Sequence, residues 1–244
     1  MATTTVDSGS APARPGLVAR FIGIIFSPGE TFQHVIADPK WLAALALVAI
    51  LGGATVGGFL MTEVGRSAWL DQAVTQSESW SGTPVTDEQY ARMERMAPMA
   101  GYLGIAQMLF VTPLFIVIIT GVLFAAFNAI LGGAATFKQL FAVVVHSAFI
   151  WVVGWIFVMP LNYVRESMSS PTNLSVFAPM LDEQAFITRL LGSIDLFMVW
   201  WTIVLAIGVG VLYHRRTRPI LLTFLGIYAV IAIGVAAFLA SRNG

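Results

Sequence analysis

Cysteine is absent from all 244 residues. That excludes disulfides, thiolate metal sites, cysteine nucleophiles and thiol redox chemistry. Charge is nearly as scarce. Only 11% of residues are Asp, Glu, Lys or Arg, against about 25% in an ordinary soluble chain. Thirteen basic residues balance thirteen acidic ones, so there is no basic field of the kind that draws nucleic acid. Histidine occurs three times, and His146 has no histidine or carboxylate within four residues. No H-E-x-x-H, no G-x-S-x-G and no phosphate-binding glycine loop is present. Ser147 adjoins His146, but consecutive residues on a helix face apart. The pattern therefore names no enzyme, no metal and no cofactor.

What the chain has is apolar sequence. It is 57% hydrophobic, with a mean hydropathy of +0.82. A hydrocarbon core of roughly 30 Å takes about 20 apolar residues in helix. Five segments meet that length, at about 41–61, 101–131, 137–163, 194–213 and 219–240. They lack the period-two alternation of barrel strands, so helices are expected. The fold class is all-α, an integral membrane bundle of five transmembrane helices behind an N-terminal interfacial amphipathic segment.

The domain reading has three parts: a disordered tail over 1–16, a helical lead-in over 17–40 and a membrane domain over 41–240. The tail is small and polar and lacks the apolar core of a signal peptide. In the lead-in, Leu17 to Phe26 is too short to cross and carries Arg20, which predicts an interfacial helix; the whole lead-in is expected to pack on the bundle, with a docking surface for a cytoplasmic partner as the alternative. Ser27-Pro28-Gly29-Glu30 reads as a capping box opening a second short helix. Thr86-Asp87-Glu88-Gln89 is another box, predicting that the second span extends as helix beyond the membrane.

Orientation is read from lysine and arginine. With the N-terminus in the cytoplasm, inner segments hold seven basic residues (Arg14, Arg20, Lys40, Lys138, Arg215, Arg216, Arg218) and outer segments six. The HRRTR turn between spans four and five is the strongest local signal. Five spans then put the C-terminus outside.

Polar residues within spans are candidates for function. His146 lies about 13 Å into the third span at 1.5 Å per residue. Asn128 and Gln107 sit near opposite ends of the second, which also contains Pro113. Asp195 stands at the head of the fourth. With Ser193 as cap, its carboxylate meets the positive end of the helix dipole; a helix beginning as early as Asp182 would instead leave it needing another partner. Small-residue faces mark helix packing, at Gly53 and Gly57 in span one and Ala206 and Gly210 in span four. Such faces serve contacts inside one chain or between copies.

Three stretches carry a family likeness: SPGETFQHVIADPKW, TFKQLFAVVVHSAF, and the D-x-F-x-x-W pattern of Asp195, Phe197 and Trp200. In this order the sequence resembles the Ypt-interacting-protein (Yip) family, and the short N-terminal segment is similar to prokaryotic-type members. The resemblance implies five spans with a cytoplasmic N-terminus and an inner-membrane location. Eukaryotic members bind Rab-type small GTPases or one another in vesicle traffic, a role tied partly to a longer N-terminal region, so Rab binding is not carried over.

The expected function is that of a non-enzymatic membrane protein organising membrane components or the bilayer through helix contacts. Its partners would be the lipid bilayer and a membrane protein or a second copy. The alternative is transport of a small solute or ion, with some of His146, Asn128, Pro113 and Asp195 lining one water-accessible cavity between spans two, three and four.

Overall fold

The computed structural model describes residues 15–182 and 185–242. The expected tail lies outside these residues except for its last two positions. Nearly everything described is helical: α1 (Leu17–Phe26), α2 (Pro28–Ala37), α3 (Leu42–Leu60), α4 (Glu63–Ser81), α5 (Asp87–Ile130), α6 (Phe137–Arg165), α7 (Phe186–Gly192), α8 (Leu196–Leu212) and α9 (Thr217–Arg242). Four of these, α3, α5, α6 and α9, are long and apolar enough to cross a bilayer. The fifth expected span, α8, has 17 residues, or about 25 Å at 1.5 Å per residue. That falls a few ångströms short of the usual hydrocarbon thickness, a mismatch that local thinning absorbs.

The helix α6 is the centre. Its most apolar stretch is 67% buried, against 17% for those of α5 and α9. It packs against α1, α2, α3, α5 and α8. Leu140 and Ala142 to Val145 have no exposed surface. The sequence opens it with T-F-K-Q, a capping box that forms in full: Thr136 Oγ1 accepts from Gln139 N–H, and Gln139 Oε1 accepts from Thr136 N–H at 3.0 Å. Halfway along, a tight turn at Ala148 interrupts the regular ladder.

The lead-in is built into this core. Ile24, Phe32 and Val35 have no exposed surface. Phe32 reaches the backbone of α8 at Gly208, where a Cβ would lie 2.9 Å from its ring and 2.6 Å from Val143. Only glycine leaves that room. Arg20, expected at the interface, is 5% exposed. Its Nη1 donates to the Asp38 carbonyl at 3.2 Å, its Nε donates to the Pro15 carbonyl, and Nη2 lies 3.7 Å from the Asp38 carboxylate. The guanidinium spends its donors inside the protein and ties the two ends of the lead-in together.

The capping box read at Ser27 does not form; its side chain makes no cap bond. Ser27 has ψ 58°, whereas the threonines that do cap, Thr62, Thr86 and Thr136, all have ψ between 151° and 161°. That extended backbone is what aims a cap side chain at the first turn.

The span containing Pro113 is unbroken. Helix α5 runs from its capping box at Thr86 through Pro113, with a wide π-type turn over Gln107–Val111 just ahead of the proline. A wider turn is the usual accommodation for a missing N–H and a bulky ring. Helix α6 likewise contains Pro160.

Candidate functional site

Each of the four polar residues singled out within the spans occupies its own surroundings. His146 is fully buried on α6. Its Nδ1 lies 2.7 Å from the Ala142 carbonyl. A carbonyl only accepts, so Nδ1 donates in this bond and Nε2 is left as the ring's other nitrogen. That Nε2 has no hydrogen-bond partner among the described residues. The edge of Phe149 stands 5.2 Å away, centroid to centroid.

Asn128 is a tie at the end of the bundle that carries the lead-in. Its Nδ2 donates to the Ala135 carbonyl and its Oδ1 accepts from Tyr213 Oη, both at 2.7 Å. Arg215 Nη2 donates to the Leu131 carbonyl at 3.0 Å beside it. These bonds fasten the end of α5 to the end of α8. Gln107 is exposed on α5.

Asp195 is the N-cap of α8. Its Oδ1 accepts from the N–H groups of Phe197 at 2.9 Å and Met198 at 3.3 Å. Its Oδ2 accepts from Ser170 Oγ and Thr172 Oγ1, both at 2.6 Å. This corrects the assignment of the cap to Ser193, which closes α7 instead and donates its hydroxyl to the Leu190 carbonyl. The helix around Asp182 that would have displaced Asp195 from a helix start is separate: α7 begins at Phe186 and ends at Gly192. Tyr228, near the middle of α9, donates to the Ser193 carbonyl and accepts from Asp195 N–H.

The three family-motif positions share one neighbourhood. Phe197 stacks on Trp200 and meets Phe157, and its ring closes over Gly154 of α6. The adjacent Trp201, outside the motif, makes the polar link: its Nε1 donates to Ser147 Oγ at 3.1 Å, and its ring packs 4.9 Å from Trp151. Spacing on one helix gives no hint of that bond, because its acceptor lies 54 positions away.

The small-residue positions lie at contacts within the chain. A Cβ on Gly57 would come within 2.4 Å of Ile105 and 3.3 Å of the Gly101 carbonyl of α5, while one on Gly53 would stay 3.9 Å clear. Ala206 is fully buried, and Gly210 faces the start of α9 at Thr217.

His146, Asn128, Pro113 and Asp195 are not among the residues lining the groove between α5 and α9. That groove is floored by α8. Its walls are mostly apolar; Arg215, Arg216 and Thr223 stand toward one end and Thr202 and Tyr228 toward the other. Among the described residues, no group of three His, Cys, Asp or Glu side chains is arranged to hold a metal.

Against known proteins, the sequence model of the Yip1 domain family matches residues 22–240. No curated protein and no solved structure matches the chain.

Proposed function

The chain belongs to the Yip1 domain family, and from that premise we propose that this multi-pass membrane protein is non-enzymatic and organises other membrane components through helix contacts. One observation carries the reading. The Asn128 and Asp195 side chains at the span ends are spent on contacts within the same chain, while α5 and α9 turn most of their apolar surface outward. Phe110 is 72% exposed and Val230 71%. In a bilayer those faces meet lipid or another membrane helix, and packing rather than chemistry is what they offer.

The same reading sets the N-terminus in the cytoplasm, the C-terminus outside and the protein in a bacterial inner membrane. Supporting it, Lys40, Lys138, Arg215, Arg216 and Arg218 are exposed at the lead-in end of the bundle, as the positive-inside rule asks. A chain without cysteine is a ready background for labelling. Single cysteines replacing Lys138 and Ser77 should react with an impermeant maleimide from opposite sides of sealed vesicles; labelling from the same side defeats the orientation.

The functional test is photo-crosslinking from Phe110 and Val230 in native membranes, which should capture discrete protein partners or a second copy. Purified protein in liposomes should show no solute or ion flux that substitution of His146 or Asn128 abolishes. Such a flux would replace this reading with transport.

A further inference from the structure

The groove between α5 and α9 runs along the bundle wall, and its ends differ in chemistry. Near the lead-in end it encloses about 500 Å³ between Val122, Leu123, Phe127, Phe224, Arg215 and Arg216. It continues as a second stretch of about 450 Å³ past Phe115, Ile119, Trp201 and Ile227 to Tyr228. Val122, Leu123, Phe224 and Ile227 line both stretches, so they form one channel along the bundle wall. Both are within the roughly 300–1,000 Å³ of small-molecule sites.

Three features select an occupant. The long wall is apolar and faces the hydrocarbon region, between the two spans that bury least of themselves. The cationic end lies where the membrane-spanning part of α8 gives way to the turn before α9. Arg216 is exposed there and makes no hydrogen bond or ion pair among the described residues, while Arg215 holds the Leu131 carbonyl through one nitrogen only. A guanidinium presents a planar fork of donors that matches phosphate oxygens. Apolar length ending in one unspent and one partly spent guanidinium group at the membrane boundary complements an acyl chain joined to an anionic head.

We infer that the α5–α8–α9 groove is a binding site for an anionic phospholipid, with an acyl chain along the apolar wall and the phosphate on Arg216 and Arg215. Basic pockets between spans at a cytoplasmic face recognise such headgroups. The first turn of α9, starting at Thr217, adds the positive end of a 26-residue helix beside the phosphate. The site goes beyond the organising role and does not need it. The outward residues Phe110 and Val230 are not among its lining, so partner capture there and lipid binding here succeed or fail separately.

The test is native mass spectrometry of the full chain released from detergent, titrated in separate arms with phosphatidylglycerol, phosphatidylcholine and inorganic phosphate. Phosphatidylglycerol should be retained above phosphatidylcholine, and Arg216→Gln should reduce its occupancy by about five-fold. Arg218→Gln, outside the groove lining, should leave it unchanged. Thr223→Trp, which fills the arginine end, should expel both lipids. If that variant fails to fold, the comparison of Arg216→Gln with Arg218→Gln decides alone. Equal retention of the two lipids, equal effects of the two arginine variants, or displacement of phosphatidylglycerol by inorganic phosphate would each overturn the site. So would disulfide-linked dimers through a cysteine replacing Ile227, which would put a second copy in the groove.

Discussion

Tyr213 donates a 2.7 Å hydrogen bond to Asn128, 85 positions earlier in the chain. The two residues close the same end of the bundle from α5 and from the turn after α8. The Tyr213 ring also stacks on Phe127 at 4.8 Å. Removing only the hydroxyl therefore isolates the bond from the packing. Tyr213→Phe should lower stability by roughly 0.6 to 1.7 kcal/mol, the range for hydrogen bonds between membrane helices. Asn128→Leu should cost more, because it also severs the bond to Ala135. Reversible unfolding in mixed micelles measures both. Strict additivity in the double variant would mean that the two side chains do not interact.

Asp195 joins a helix start to a loop through four bonds on one carboxylate. Asp195→Ala should cost about 2 kcal/mol or more, since a lost cap alone is worth roughly 0.5–2 and hydrogen bonds to a charged group roughly 1.5–3. Asp195→Asn keeps an oxygen for the Phe197 and Met198 N–H groups and should fall between wild type and alanine. Thermal unfolding gives the order, and proteolysis within residues 166–182 should quicken in the same order. An asparagine variant as stable as wild type but inactive in partner capture would move Asp195 from structure to function.

The long spans were legible because unbroken apolar runs admit only helices in a bilayer. The box at Thr86 was legible because its spacing is local. The identical logic at Thr136 went unread, since Thr136-Phe137-Lys138-Gln139 carries the same T-x-x-Q spacing. That the lead-in packs on the bundle was legible from its apolar face, but its depth was not: Ile24, Phe32 and Val35 present the same apolar stripe to a lipid surface as to a protein core. Only tertiary structure tells the two apart. The same applies to the polar residues. His146 and Asn128 look alike as intramembrane polar groups, yet one is a buried ring bonded within its own helix turn and the other a tie between helix ends. Asn162, near the end of an apolar run, gives no such signal, yet it is 2% exposed with its Oδ1 lacking a partner among the described residues.

The glycines of span one make a sharp comparison. Gly57→Ala would push a Cβ to 2.4 Å from Ile105 and 3.3 Å from a carbonyl, whereas Gly53→Ala would meet nothing nearer than 3.9 Å. Overpacking of the first kind typically costs about 1–3 kcal/mol. The second should be neutral or slightly stabilising, because alanine is the better helix former. Unfolding midpoints of the two variants, read side by side, test whether α3 meets α5 through this face. Equal midpoints would count against that packing.

Arg20 offers the most local prediction. Its buried guanidinium bridges the start of α1 to Asp38 beyond α2, and Lys40 stands 3.0 Å from the same carboxylate. Replacing one partner of a buried ion pair costs roughly 3–5 kcal/mol when the other is left bare. Asp38 keeps Lys40, so Arg20→Met should fall at or below about 3 kcal/mol on that scale. The loss should be confined at first to the lead-in, because the remaining core of α3, α5, α6 and α8 does not depend on this bridge. Hydrogen exchange should then report reduced protection over residues 17–37 before any change in α6. Arg20→Lys keeps the charge but cannot hold both the Pro15 and Asp38 carbonyls through a rigid fork, so it should recover only part of the protection. Uniform loss along the whole chain would make Arg20 a determinant of the entire bundle, and unchanged exchange would mean that the apolar face of α1 and α2 holds the lead-in unaided.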